Sequence, residues 1–276
     1  MTSQPRQILA PLAVLAVLGG VLLFTSVPGV FTVDENSYLA SILSLRGDGL
    51  KVPGTEGVTA SRMLAYFDPL ARNRAAVTSP IASSAPPLYA YIAFPFSLLG
   101  WRGLIGLNVL SFVVTGMVVF RLALSLGTER APLALALGLF VLGGYSLEYA
   151  QGVWPHMLSV ALAFGGVAYA ARSRVDDGLA AAAAAGLLCG VATGVRYQNL
   201  VLSLAVGAGL LLAEKRRGPK VAAFTLGLLL PLAASSATNH VRLGSWNPVS
   251  KGPGWMTLTA GRTLDNPVVE GAVQRA

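Results

Sequence analysis

The stretch "GLAAAAAAGLLCGVATGVRYQNLVLSLAVGAGLLLA", residues 178–213, sets two uncharged apolar runs on either side of Arg196 to Asn199. Runs of this kind are built to cross a hydrocarbon core of about 30 Å, which takes roughly 20 helical residues. In lipid they must be helices, because an open strand leaves backbone groups unpaired. Their alanines and glycines suit close helix packing. The rest of the chain repeats the pattern: 54% of its 276 residues are apolar and only 12% are charged. A mean hydropathy of +0.64 lies far outside the range of soluble globular domains. The expected fold is therefore all-α, a polytopic transmembrane bundle forming a single integral membrane domain. Spans are expected near 8–30, 103–126, 132–149, 157–171, 178–195, 200–213 and 221–238, with a polar tail over 239–276. The first run follows Arg6 and lacks a small-residue cleavage site, so it reads as a signal anchor.

Charge then orients the spans. The net charge of +8 sits in short clusters between apolar runs rather than along one face, which argues for topology signals and against nucleic acid. The segment "PPLYAYIAFPFSLLG", residues 86–100, is short and interrupted by Pro95. If it does not cross, Arg121 with Arg130, Arg172 with Arg174, and "EKRRGPK" (214–220) share the side of Arg6. The positive-inside rule favours that arrangement. Residues 86–100 are accordingly expected as a re-entrant or interfacial helix within an outer loop, 31–102. The N-terminus is then cytoplasmic, in a multi-pass protein of the plasma membrane. The single cysteine, Cys189, excludes an intrachain disulfide.

Under this topology the unusual polar residues gather on the outer face: Asp34 and Glu35 in "FTVDENSYLA", Glu148 and His156 in "YSLEYAQGVWPH", Arg196 in "GVRYQN", and Asn239 with His240 in "TNHVRLGSWNP". After Asp34, the residues Tyr38, Leu39, Ile42, Leu43 and Leu45 fall at helical spacing, giving a short amphipathic helix along the interface. Asp34 either caps that helix, with Glu35 favouring its positive end, or serves as a carboxylate that takes a proton from an attacking hydroxyl. Glu148 is either a solvated boundary carboxylate or a functional one. His156 starts a span, where a structural role competes with a binding one. Arg196 stands where basic residues are least expected; it either snorkels to the interface or meets a phosphate oxygen. Two histidines argue against a histidine-rich metal site. No phosphate loop, CxxC, HExxH or GxSxG motif is present.

The order of these features resembles the polytopic GT-C glycosyltransferases, in particular the protein-mannosyltransferase-like and aminoarabinose-transferase-like group. The signal anchor followed by an outward "DE", the "PPLY" segment with Tyr89, "YAQGVWPHML" (149–158), "GLLCGVATGVRYQNLVL" and "TNHVRLGSWNP" carry the resemblance, which covers about residues 8–248. It implies transfer of a sugar from a polyprenyl-phosphate donor, held in the bilayer, to a lipid, protein or polysaccharide acceptor on the extracytoplasmic face. Carried over, Asp34 is the catalytic carboxylate with Glu35 beside it, and Glu148 is the second acid. Relatives often place that acid three or four positions later, where this chain has Gly152. Tyr89, His156, Arg196, Asn239 and His240 would bind the donor phosphate or substrate. The pattern identifies no cofactor, and a divalent cation bridging Asp34 or Glu35 with Glu148 is compatible with it without being demanded by it. Relatives carry more spans, so a truncated member is expected. Competing readings are a transporter or lipid flippase, and a catalytically silent truncated scaffold. Neither an internal span repeat nor midplane charges favour the transporter.

Overall fold

The structure, a computed structural model, describes residues 5–26, 35, 38, 39, 42, 45, 86–125, 130–176, 178–212, 216–243 and 246–248. Among these residues the chain is all-α, as the apolar runs require. The helices are α1 (Pro5–Thr25), α2 (Pro87–Ser97), α3 (Gly100–Ser125), α4 (Arg130–Leu142), α5 (Ser146–Gln151), α6 (Pro155–Asp176), α7 (Leu179–Val195), α8 (Asn199–Leu211) and α9 (Arg217–Leu243). The described residues of the segment after α1, Glu35, Tyr38, Leu39, Ile42 and Leu45, are also helical.

Helices α1, α3 and α9 are long and apolar enough to cross a membrane. With 21, 26 and 27 residues they run about 31, 39 and 40 Å at the helical rise. Helices α4, α7 and α8 are apolar but shorter. The expected span 132–149 is two helices, broken at residues 143–145. Gly143 and Gly144 are poor helix formers, and the Ser146 hydroxyl donates to the Phe140 carbonyl that the break exposes. The tail also begins later than expected, because α9 runs on through Asn239 and His240 to Leu243.

Helix α2 has 11 residues, about 16 Å, which is too short to cross a bilayer alone. It starts with Pro87 in the first turn, where a missing N–H costs nothing. It hands over to α3 through Gly100, whose φ of +71° is open to glycine at no steric cost. Tyr89, Ala90 and Ala93 are buried where α2 meets α3, α7 and α9.

Close approaches fix the helix directions. Gly19 lies on Val109 and Leu15 on Gly116, so α1 and α3 run antiparallel; Gly166 lies on Cys189 while the Ser173 hydroxyl donates to the Gly178 carbonyl, so α6 and α7 do too. Gly186 lies on Phe224 and Gly190 on Leu228, so α7 and α9 run parallel. Helices α1, α7 and α9 therefore finish at one end, the upper end, where α3 and α6 begin. One core forms around α3, with Leu104, Ile105 and Phe112 meeting Leu15, Leu39, Ile42, Tyr89, Val153 and Met157. A second, of smaller residues, forms around α7, with Ala182, Ala185 and Cys189 meeting Phe224, Leu228 and Leu210. Large apolar side chains remain on the outside, including Val17, Phe24, Leu139, Val201, Leu226 and Leu230. An exterior of this kind is suited to hydrocarbon rather than water.

Candidate functional site

The upper end is tied together by Glu35. Its carboxylate is fully buried, and Oε1 accepts the backbone N–H of Val153 at 3.0 Å, in the turn between α5 and α6. The preceding residue of that turn, Gly152, has no side chain for a reason: a Cβ there would meet the Trp154 indole and would sit 2.5 Å from Glu35 Oε1. The Gly152 carbonyl accepts a 2.6 Å hydrogen bond from Asn108 Nδ2 on α3. Tyr38 packs edge-on to Tyr89, with ring centroids 5.4 Å apart. The Tyr89 hydroxyl sits beside the Asn108 amide, out of hydrogen-bond geometry with it, and burial pushes its pKa up.

Beside this polar group stands an aromatic one. Tyr149 on α5 stacks on His156 at 4.3 Å, and Trp154 meets both Tyr149 (5.8 Å) and His156 (5.1 Å) edge-on. Tyr145 continues the row at 5.8 Å from Tyr149. His156 occupies the first turn of α6, ahead of the apolar run 157–171. Burial, reinforced by the positive charge of Arg196, pushes its pKa down to about 4. The imidazole is therefore neutral at pH 7. Arg196 leaves the end of α7 in extended backbone. Asn199 holds that turn, donating from Nδ2 to the Ala192 carbonyl at 3.0 Å, a carbonyl the helix end must share.

The other expected site residues stand apart from this group. Glu148 is exposed on α5. Asn239 is buried at the end of α9, and its side chain donates to the Asn247 carbonyl at 2.9 Å. His240 is exposed and stacks on Trp246 at 4.1 Å. Asn239 and His240 thus fasten the turn that follows α9. Asp34 lies outside the described residues. Among the described residues no three His, Cys, Asp or Glu side chains converge on a common point.

Sequence reasoning missed Asn108, although the signal was present: a lone amide in the apolar run "GLIGLNVLSFVV". Such a residue inside a membrane helix is a functional suspect by default. It also missed a collective property. Among the described residues, the buried side-chain atoms left without a hydrogen-bond partner are Tyr89 Oη, Trp101 Nε1, Asn108 Oδ1, His156 Nδ1 and Ser235 Oγ. All five belong to the upper part of the bundle; Ser235 is placed there by Gly194, whose Cβ would sit 3.0 Å from its Oγ. Buried polar atoms are normally paired, so each exception calls for an explanation. The chain matches no protein-family model, no curated protein and no solved structure.

Proposed function

We propose that this chain is an integral membrane glycosyltransferase that moves a sugar from a polyprenyl-phosphate donor to an acceptor hydroxyl at its upper end, on the extracytoplasmic face. The observation that carries the reading is that the unpartnered buried polar atoms lie at the same end of an apolar bundle as Tyr149, Trp154, His156 and Arg196. A lipid-linked sugar needs that combination. Its tail needs an apolar surface, its ring needs flat aromatic faces and hydrogen-bond partners, and its phosphate needs a cation. A soluble substrate has no use for the first of these.

In this reading the acceptor oxygen attacks the anomeric carbon while the bond from that carbon to the phosphate oxygen breaks, its electron pair leaving on the phosphate. The Asp34 carboxylate takes the acceptor proton. Arg196 offsets the charge that develops on the departing phosphate. A single displacement of this kind inverts the anomeric centre. Glu35 is a positioning residue, since its buried carboxylate accepts the Val153 N–H and holds the turn that leads into His156. His156, neutral at pH 7, contributes a stacking face and a hydrogen-bonding nitrogen rather than a charge.

The test is turnover of polyprenyl-phosphate sugars by purified protein in lipid. Asp34→Asn should lower kcat by a factor of about 10² to 10⁴, the range for a lost general base. Arg196→Gln should lower it by a comparable factor without unfolding the chain. Equal turnover by Asp34→Asn and the parent protein would overturn the assignment.

A further inference from the structure

At the opposite, lower end, α3 and α6 part to leave an open cleft of about 580 Å³. Its walls are apolar, formed by Val118 and Leu122 of α3 and by Ala168 and Tyr169 of α6, and its rim carries Arg121 and Arg172, one from each helix. The upper-end chemistry uses none of these residues. Both arginines are exposed, and Arg172 is also engaged within the chain. A guanidinium has five N–H donors and can serve more than one partner.

Two guanidinium groups facing one cleft repel each other unless an anion lies between them. The segments of sequence adjoining the lower helix ends are also basic on balance. The sequence around the lower helix ends supplies Glu129, Asp176, Asp177 and Glu214, against Arg130, Arg174, Lys215, Arg216, Arg217 and Lys220 as well as the two rim arginines. A soluble anion would satisfy the rim but leave the apolar walls uncovered. An amphiphile satisfies both. We propose that this cleft binds an anionic phospholipid, its phosphodiester between Arg121 and Arg172 and the upper part of an acyl chain along Val118, Leu122 and Ala168. Basic pockets between membrane helices on the cytoplasmic side suit such headgroups. The proposal rests on membrane insertion and is independent of glycosyl transfer.

The experiment uses the full chain in detergent, loaded with phosphatidylglycerol or phosphatidylcholine and read by native mass spectrometry. The parent protein should retain phosphatidylglycerol at least about 10-fold more than phosphatidylcholine, because both bring a phosphodiester but only phosphatidylcholine brings a trimethylammonium group that the two arginines repel. The double variant Arg121→Gln/Arg172→Gln, which alters two exposed side chains, should bring the two lipids to within about 2-fold once the positive charge that discriminates them is gone. Ala168→Phe, which fills the cleft and leaves both charges, should also reduce retention. Undiminished preference in the double variant, or full displacement of the lipid by millimolar inorganic phosphate, would overturn the proposal; the second result would mark a free-anion site.

Discussion

Glu35 and Gly152 act as one unit although they are distant in sequence. A buried carboxylate accepts a backbone N–H, and the residue beside that N–H has no Cβ to obstruct it. Removing the acceptor strands the Val153 N–H, a loss of roughly 1–3 kcal/mol. Glu35→Ala should therefore lower stability in detergent by about that amount, while Glu35→Gln, which keeps an acceptor of the same shape, should lose much less. Gly152→Ala should cost a similar amount by displacing the carboxylate. In the double variant Glu35→Ala/Gly152→Ala the losses should add to less than their sum, as for groups in contact. A thermal-unfolding series of the four variants checks both statements. His156 gives a pH signature. Its folded pKa of about 4 lies below the unfolded value of 6.5, so between these pH values the unfolded chain binds the proton and the folded chain does not. Stability should accordingly fall as pH drops from 6.5 towards 4, and His156→Gln should flatten that fall; equal slopes for parent and variant would remove His156 as the cause.

Helix packing is governed by size at the contact between α7 and α9. Ala182, Gly186 and Gly190 recur every four residues and present one smooth stripe, onto which the backbone of α9 closes. A Cβ at Gly186 would overlap the Phe224 carbonyl, and one at Gly190 would sit 2.5 Å from the Leu228 carbonyl. Backbone carbonyls of a helix cannot move aside as a side-chain end can. Gly190→Val should therefore separate the helices and cost more than about 3 kcal/mol, beyond the range of ordinary overpacking. Gly209→Ala is the control, since nothing lies within 4 Å of its added Cβ, and it should be neutral or slightly stabilising through helix propensity. Melting temperatures in one detergent decide the comparison. The same element explains why Arg196 is well placed: the stripe ends at Gly194, so α7 can run to the upper end against α9 before the Asn199-held turn releases the arginine.

For the whole molecule the decisive quantity is the side of the membrane on which each end lies. Exposed positions are needed as probes, and the folded structure selects them. Asn239 is buried, so a cysteine there would be protected on either side, whereas His240, Gln198 and Glu148 are exposed at the upper end and Arg217 at the lower. In a Cys189→Ala background, single cysteines at Glu148, Gln198 and His240 should react with a membrane-impermeant thiol reagent from outside intact cells, and Arg217→Cys should not. Labelling of Glu148→Cys with protection of His240→Cys would place the two on opposite faces and break up the proposed site.

The all-α architecture was legible in the apolar runs, because a helix satisfies its own backbone whatever surrounds it. The gathering of Glu35, His156 and Arg196 at one end followed from alternating spans with charge on one side. The glycine stripe was legible as composition. The partners were not: Glu35 meets Val153 across 118 residues, and Asn108 meets Gly152 across 44. Which side chains touch depends on how each helix is rotated and how deep it sits, and those are settled by packing among all the helices at once. The break in the expected span 132–149 stayed hidden because hydropathy counts apolar residues and does not register the glycines and the Ser146 hydroxyl that end a helix. Local physics thus determined the elements and their order, while only the tertiary structure decided that Glu35 is an anchor, that Asn239 is a fastening, and that five buried polar atoms among the described residues are left without a hydrogen-bond partner.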